Sequence, residues 1–76
     1  MKNKIRECRL NNKMTQKQLA NLVHVSTRTI ISIETGQYNP SLLLAYRIAC
    51  VFSKSIEELC CLEENKKLED KKYEII

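Results

Sequence analysis

Thr27, Arg28 and Ser32 fall within one stretch, VSTRTIISIE (residues 25–34), with Arg28 and Ser32 four positions apart and Thr27 beside Arg28. On a helix that spacing gathers all three on one face near the N-terminal end, while Ile30 and Ile33 fall on another. The chemistry open to such a face is hydrogen bonding. A forked guanidinium and two short hydroxyls can address donors and acceptors on the edges of bases, and Arg28 suits the paired acceptors of a guanine. A merely solvated helix would more often carry Glu and Lys in these places, so the elements around the stretch must decide between the two readings.

A reading face is useful only if its helix stands clear of the fold. The stretch is preceded by a predicted helix at 16–23, and only His24-Val25-Ser26 separates it from the next at 27–35. Three residues cannot form a loose antiparallel return, so the helices must cross steeply through a fixed turn, and the second then protrudes. Thr15-Gln16-Lys17-Gln18 and Ser55-Ile56-Glu57-Glu58 both fit the capping box, Ser26 is a further cap, and Asn39-Pro40-Ser41 marks another start. With one Gly and one Pro, and apolar residues at helical rather than alternating spacing, the chain is predicted to be all-α. The predicted helices are about 2–12, 16–23, 27–35, 41–52 and 56–61, with Gly36 ending the third.

The stripes predict a core of Ile5, Cys8, Leu19, Ala20, Val23, Val25, Ile30, Ile33, Leu44, Ala45, Ile48, Phe52, Ile56 and Leu59, with Met14 plugging the first loop. The fourth helix carries a second apolar line, Leu43, Tyr46 and Cys50, which reads equally as a partner surface or as a wide core stripe.

Seventy-six residues allow one domain, and a chain of this size buries only about 60–65% of its unfolded surface, so stability from its core alone is marginal. No apolar run approaches a membrane span, and MKNKIREC lacks the apolar core of a signal peptide, so a cytoplasmic protein is expected. Cys8, Cys50, Cys60 and Cys61 contain no C-x-x-C pair and are expected as thiols; a thiol or zinc sensor recruiting His24 is the sharper alternative, disfavoured because adjacent Cys60 and Cys61 project differently.

The net charge of +4 is unevenly spread. Residues 1–54 hold nine Lys and Arg against Glu7 and Glu34, a balance of +7, whereas residues 55–76 hold four against seven acids, a balance of −3. A basic folded part attracts polyanions, nucleic acid being the common case and a solubilising surface the plainer one.

Over residues 2–61 the chain resembles the Cro/phage-repressor (Xre-like) helix-turn-helix regulators, on MTQKQLANLV, VSTRTIISIETG, and YNPSLLLAYRIACVF followed by SIEEL, and among them the short bacterial repressors of the cytolysin-repressor type. The resemblance implies that Gln16 contacts a phosphate and braces the recognition helix, with Thr15 nearby. It implies that Thr27, Arg28 and Ser32 read bases, that Thr35, Gln37 and Tyr38 lie along the sugar-phosphate backbone, and that Arg9 pairs with Glu34. It also implies pairing of two copies through the fifth helix and a short strand after it, here Leu59, Cys60 and Leu62.

The residues support several of these roles directly. Helix N-termini favour phosphate, which makes Gln16 and the start of the fourth helix suitable clamps, and Lys17 is a candidate backbone cation. Glu34, an acid in a basic region, would repel DNA unless paired; an ordinary surface pair with Arg9 is the alternative. His24 and Ser53 stand where the family usually has glycine, His24 at a turn position expected to be left-handed, and a pH switch is the less economical account of His24. Lys54 replaces an apolar residue. In the tail, Glu63 and Lys67 suit one helix face while Tyr73 and Ile75 alternate like a strand, which leaves it unassigned.

The expected protein is therefore a five-helix, all-α domain over residues 1–62, its helix-turn-helix at about 15–35, with a charged tail at 63–76. It is expected to bind double-stranded DNA sequence-specifically as a homodimeric repressor on an inverted repeat, with no cofactor, metal, small-molecule ligand or membrane partner. An antitoxin-type protein that binds a partner protein and its own promoter is the alternative. One His, no Asp before Asp70 and no paired carboxylates on one face of the compact part argue against an enzyme.

Overall fold

The computed structural model describes residues 1–73, and among these the ordered elements are six helices and no strand. They are α1 (Ile5–Asn11), α2 (Gln16–Leu22), α3 (Thr27–Glu34), α4 (Leu42–Val51), α5 (Ile56–Leu59) and α6 (Leu62–Lys71). No helix among the described residues is long and apolar enough to cross a membrane.

Hydroxyl caps start α2 to α5. Thr15 Oγ1 accepts from the Gln18 N–H at 3.0 Å while Gln18 Oε1 accepts from the Thr15 N–H at 2.8 Å, closing the expected capping box. Ser26, Ser41 and Ser55 each accept the backbone N–H three residues on. At Ser55 the box is only half made, because the Glu58 carboxylate takes the Ser55 hydroxyl instead of its backbone N–H. α1 starts later than the periodicity predicts, at Ile5: the Asn3 side chain accepts from the Ile5 N–H at 3.1 Å and donates to the Ile33 carbonyl at 2.9 Å, which draws the first residues off a helical path.

Five helix ends turn through left-handed backbone, at Lys13 (φ 52°), His24 (φ 61°), Gly36 (φ 80°), Ser53 (φ 53°) and Cys61 (φ 49°). His24 and Ser53 bear out the glycine-like positions read from the sequence; Lys13 and Cys61 had no such signal. Behind the turns, N–H groups reach back to carbonyls near the helix ends, Met14 to Arg9 at 3.0 Å, Val25 to Ala20 at 3.1 Å, Gln37 to Ser32 at 2.9 Å and Lys54 to Ala49 at 3.0 Å. This hydrogen-bonded closure holds non-glycine residues in a conformation that costs them about 1–2 kcal/mol.

The buried core is Ile5, Leu19, Ala20, Val23, Ile30, Ile33, Ala45, Ile48, Ala49, Phe52, Leu59 and Cys60, with Cys8, Met14, Val25, Leu44 and Ile56 packed against it. The sequence stripes missed Ala49 and Cys60. On α4 the line Leu43, Tyr46 and Cys50 stays exposed, joined by Leu42, so it is not part of a wide core stripe.

Three expectations are corrected here. The chain has a sixth helix, and the short strand expected after α5 is absent among the described residues. Left-handed Cys61 ends α5, and Leu62 onward continues as a helix carrying the ion pairs Glu63–Lys67 (3.4 Å), Lys66–Asp70 (2.6 Å) and Glu69–Lys72 (3.2 Å). A helix satisfies its own backbone and gathers these pairs along its surface, whereas a lone strand would leave a row of N–H groups open. Finally, Leu59 and Cys60 are each 1% exposed, taken up by the core of their own protomer, so of the residues expected to pair two copies only Leu62 faces solvent. Tyr73 follows α6 and is exposed; Ile75 lies outside the described residues.

Candidate nucleic-acid interface

α2 and α3 are the most closely packed helix pair, joined through His24 in its left-handed turn. Leu19, Ala20 and Val23 on one helix and Ile30 and Ile33 on the other bury the contact and turn the opposite side of α3 outward. Arg28 is exposed there, with Thr27 and Ser32 half-buried on either side of it. Thr29, also a threonine, is occupied in the cap, its hydroxyl 3.0 Å from that of Ser26.

The outward face holds one residue that the opening stretch did not single out. Ile31, three after Arg28 and four after Thr27, is 42% exposed. The helical spacing of 27, 28, 31 and 32 is the signal that could have found it; its apolar type hid it among the core isoleucines.

Beneath this face lies a charge-paired brace. Arg9 donates from Nε to Glu34 Oε2 at 2.8 Å and from Nη2 to Glu34 Oε1 at 3.1 Å, with both side chains nearly buried (9% and 3% exposed). Arg9 Nη1 also donates to the Met14 carbonyl at 2.9 Å, and Gln16 Nε2 donates to Glu34 Oε1 at 3.2 Å. The brace thus links α1, the first turn of α2 and the last turn of α3. It neutralises the one acid on α3, and the buried polar side-chain atoms of the described residues all have partners. The pair is a buried bridge, not an ordinary surface one.

Gln16 thus reaches from the first turn of α2 to the last turn of α3 through Glu34. Thr15 and Lys17 flank it on the surface. Arg6 and Lys13 line the same groove as Gln16 and Thr35, and are further cations on this side that the sequence reading passed over. At the other end of α3 the Ser32 carbonyl accepts from the Thr35 hydroxyl (3.1 Å) and from the Gln37 and Tyr38 N–H groups (2.9 and 3.2 Å). This clusters Thr35, Gln37 and Tyr38, all exposed, at one end of the reading face.

A family model described as Helix-turn-helix matches residues 5–59, which spans α1 to α5 and every element of this interface. The chain belongs to the helix-turn-helix family. It is a DNA-binding transcriptional regulator of Cro/C1 type and not an enzyme. The regulator is 47% identical over 66 residues to an uncharacterised HTH-type transcriptional regulator of Archaeoglobus fulgidus, a match covering 87% of this chain and 94% of the relative. It is 44% identical over 64 residues to the HTH-type regulator YgzD of Bacillus subtilis, covering 84% and 97%. Among solved structures it is similar to the restriction-modification controller protein C.AhdI of Aeromonas hydrophila, with a TM-score of 0.67 and 27% identity over 72% of this chain and 83% of that one. All three likenesses leave part of this regulator unmatched.

Proposed function

We propose that the regulator binds a specific inverted-repeat sequence in double-stranded DNA as a homodimer in the cytoplasm and represses by occupying it. The observation that carries the reading is Arg28, solvent-exposed between Thr27 and Ser32 on a helix whose other side is locked into the core and whose only acid is neutralised by Arg9. In this reading α3 lies in a major groove. Arg28 pairs with a guanine, Thr27 and Ser32 bond to neighbouring base edges, and Ile31 lies against a thymine methyl group. Thr15, Gln16 and Lys17, with Arg6 and Lys13 behind them, sit along one phosphate run, and Thr35, Gln37, Tyr38 and the capped start of α4 along another. Residues 1–62 hold all of these groups.

Pairing of copies follows from energetics. A specific site must be favoured over random DNA by about 4–10 kcal/mol, more than four side chains on one half-site readily supply, and two half-sites roughly double it. With Leu59 and Cys60 enclosed, the pairing falls in this reading to exposed apolar residues such as Leu62 or the Leu43, Tyr46 and Cys50 line of α4. Repression in this reading is steric, by occupancy of the operator.

Selection of bound sequences from a random duplex pool tests the reading. The expected result is a two-fold symmetric consensus with half-sites one helical turn, about 34 Å, apart. Recovery of no consensus, or of a single asymmetric half-site, would overturn specific binding or the homodimer respectively.

A further inference from the structure

Residues 1–4 run between the C-terminal end of α3 and the α5–α6 corner and are bonded to both. Toward α3, Asn3 Nδ2 donates to the Ile33 carbonyl at 2.9 Å and the Met1 amino group to the Gly36 carbonyl at 3.2 Å. The Ile33 carbonyl also accepts from the Gly36 N–H at 3.0 Å, so the strap adds its bonds to the turn that closes α3 and ties that turn to residues 1–4.

On the other side, the Lys2 N–H donates to Asn65 Oδ1 at 3.0 Å, and Asn65 Nδ2 donates back to the Lys2 carbonyl at 2.7 Å and to the Cys60 carbonyl at 2.7 Å. The Lys4 N–H donates to the Leu59 carbonyl at 2.8 Å, and the Lys2 ammonium meets Glu64 at 2.9 Å. Asn65 grips the backbone of residue 2 as a neighbouring strand would. It is the least exposed residue of α6.

A solubilising tail would need none of this. We infer that residues 1–4 are a strap through which α6 sets the C-terminal end of the recognition helix, with Asn65 and Asn3 as positioning residues for DNA reading. The inference rests on α3 being the reading helix. Ser32 lies in the turn that the strap holds, and Thr35, Gln37 and Tyr38 follow directly from it, so a shift of α6 is passed to one end of the base-reading face and to the backbone contacts beside it. No residue of α6 needs to touch DNA for this.

Two variants of the full chain test it. Asn65→Ala frees α6 from residue 2. Asn3→Asp keeps the acceptor for the Ile5 N–H and removes the donor to the Ile33 carbonyl. Each is expected to shift the backbone amide resonances of residues 33–38 and to lower affinity for the selected operator about five- to ten-fold, the size of one or two lost neutral hydrogen bonds, with affinity for random DNA unchanged. Should Asn65→Ala fail to fold, Asn65→Asp, which retains the acceptor for the Lys2 N–H, is measured in the same way.

Resonance changes confined to residues 1–4 and 60–73 would overturn the inference, as would changes at 33–38 with undiminished operator affinity, since the strap would then be structural only. If the unaltered protein has no preferred operator, the DNA reading fails separately, and the positioning role that depends on it falls with it even where the resonances move.

Discussion

Arg9 and Glu34 are joined by two hydrogen bonds, at 2.8 and 3.1 Å, that tie α1 to the last turn of α3 beneath the surface proposed to meet DNA. The contact does two jobs. It holds the recognition helix against the body, and it cancels the only negative charge on that helix.

Breaking the pair from one side should be costly, because a nearly buried charge is left without its partner. Arg9→Met is expected to lower unfolding free energy by about 3–5 kcal/mol, whereas Arg9→Met combined with Glu34→Leu should recover most of the loss. Urea unfolding of the two single variants and the double variant checks this. A double variant as unstable as either single would mean that the pair is net stabilising and not merely self-compensating.

Base reading and backbone anchoring are separable by their dependence on sequence and salt. Arg28→Ala should cost about 1–3 kcal/mol on the selected operator and relax the preference at one base pair. Lys17→Ala should weaken binding to all sequences about equally and reduce the slope of log affinity against log salt by about one. Equal losses on operator and random DNA for both variants would remove α3 as the reader.

Ile31 makes a prediction that needs a change in the DNA as well. If it lies against a thymine methyl, replacing that thymine by uracil in the operator should weaken binding of the unaltered protein by about 1 kcal/mol and leave binding of Ile31→Ala unaffected. Titration of both proteins against both duplexes gives the coupling directly. Additive effects at every thymine would place Ile31 away from the bases.

The left-handed residues offer a stability test that leaves the interface intact. His24→Gly and Ser53→Gly should each raise stability by up to about 1 kcal/mol, since glycine adopts φ values of 61° and 53° without the steric cost, offset by its greater freedom when unfolded. Thermal unfolding measures it, and DNA affinity should be unchanged. A loss of operator binding in His24→Gly would instead give the imidazole a direct part in function.

For the homodimer, Leu62→Asp and Tyr46→Asp separate the two exposed surfaces. The variant that touches the interface should sediment as a monomer and lose operator binding at nanomolar concentration while keeping weak binding to random DNA. The other should behave as the unaltered protein, because an added carboxylate on a solvated surface costs almost nothing. Two unperturbed dimers would place the interface outside both surfaces.

The local grammar of this fold is written in the sequence. Thr15, Ser26, Ser41 and Ser55 cap helices because a hydroxyl reaches an amide three residues away, and Ile30 and Ile33 face the core because helical periodicity leaves them no alternative. His24 and Ser53 were marked by the family resemblance, as stand-ins for glycine where a turn needs left-handed backbone. The shared face of Thr27, Arg28 and Ser32, proposed to read bases, was legible in the way Ile30 and Ile33 were, since it depends on spacing within one helix. Ile31 was not, because its residue type says core and only the protrusion of α3 says surface.

Tertiary structure decided the rest. Whether Leu59 and Cys60 seal a core or pair with another chain depends on what packs around them, and α4, α6 and the first residues meet this segment in a way that no local pattern announces. Residues 62–71 form a helix along which Lys, Glu and Asp side chains pair one turn apart once Cys61 turns the chain. The strap joins Lys2 to Asn65 across 63 positions of sequence, a separation over which residue type and spacing carry no signal and only the packed body brings the two together.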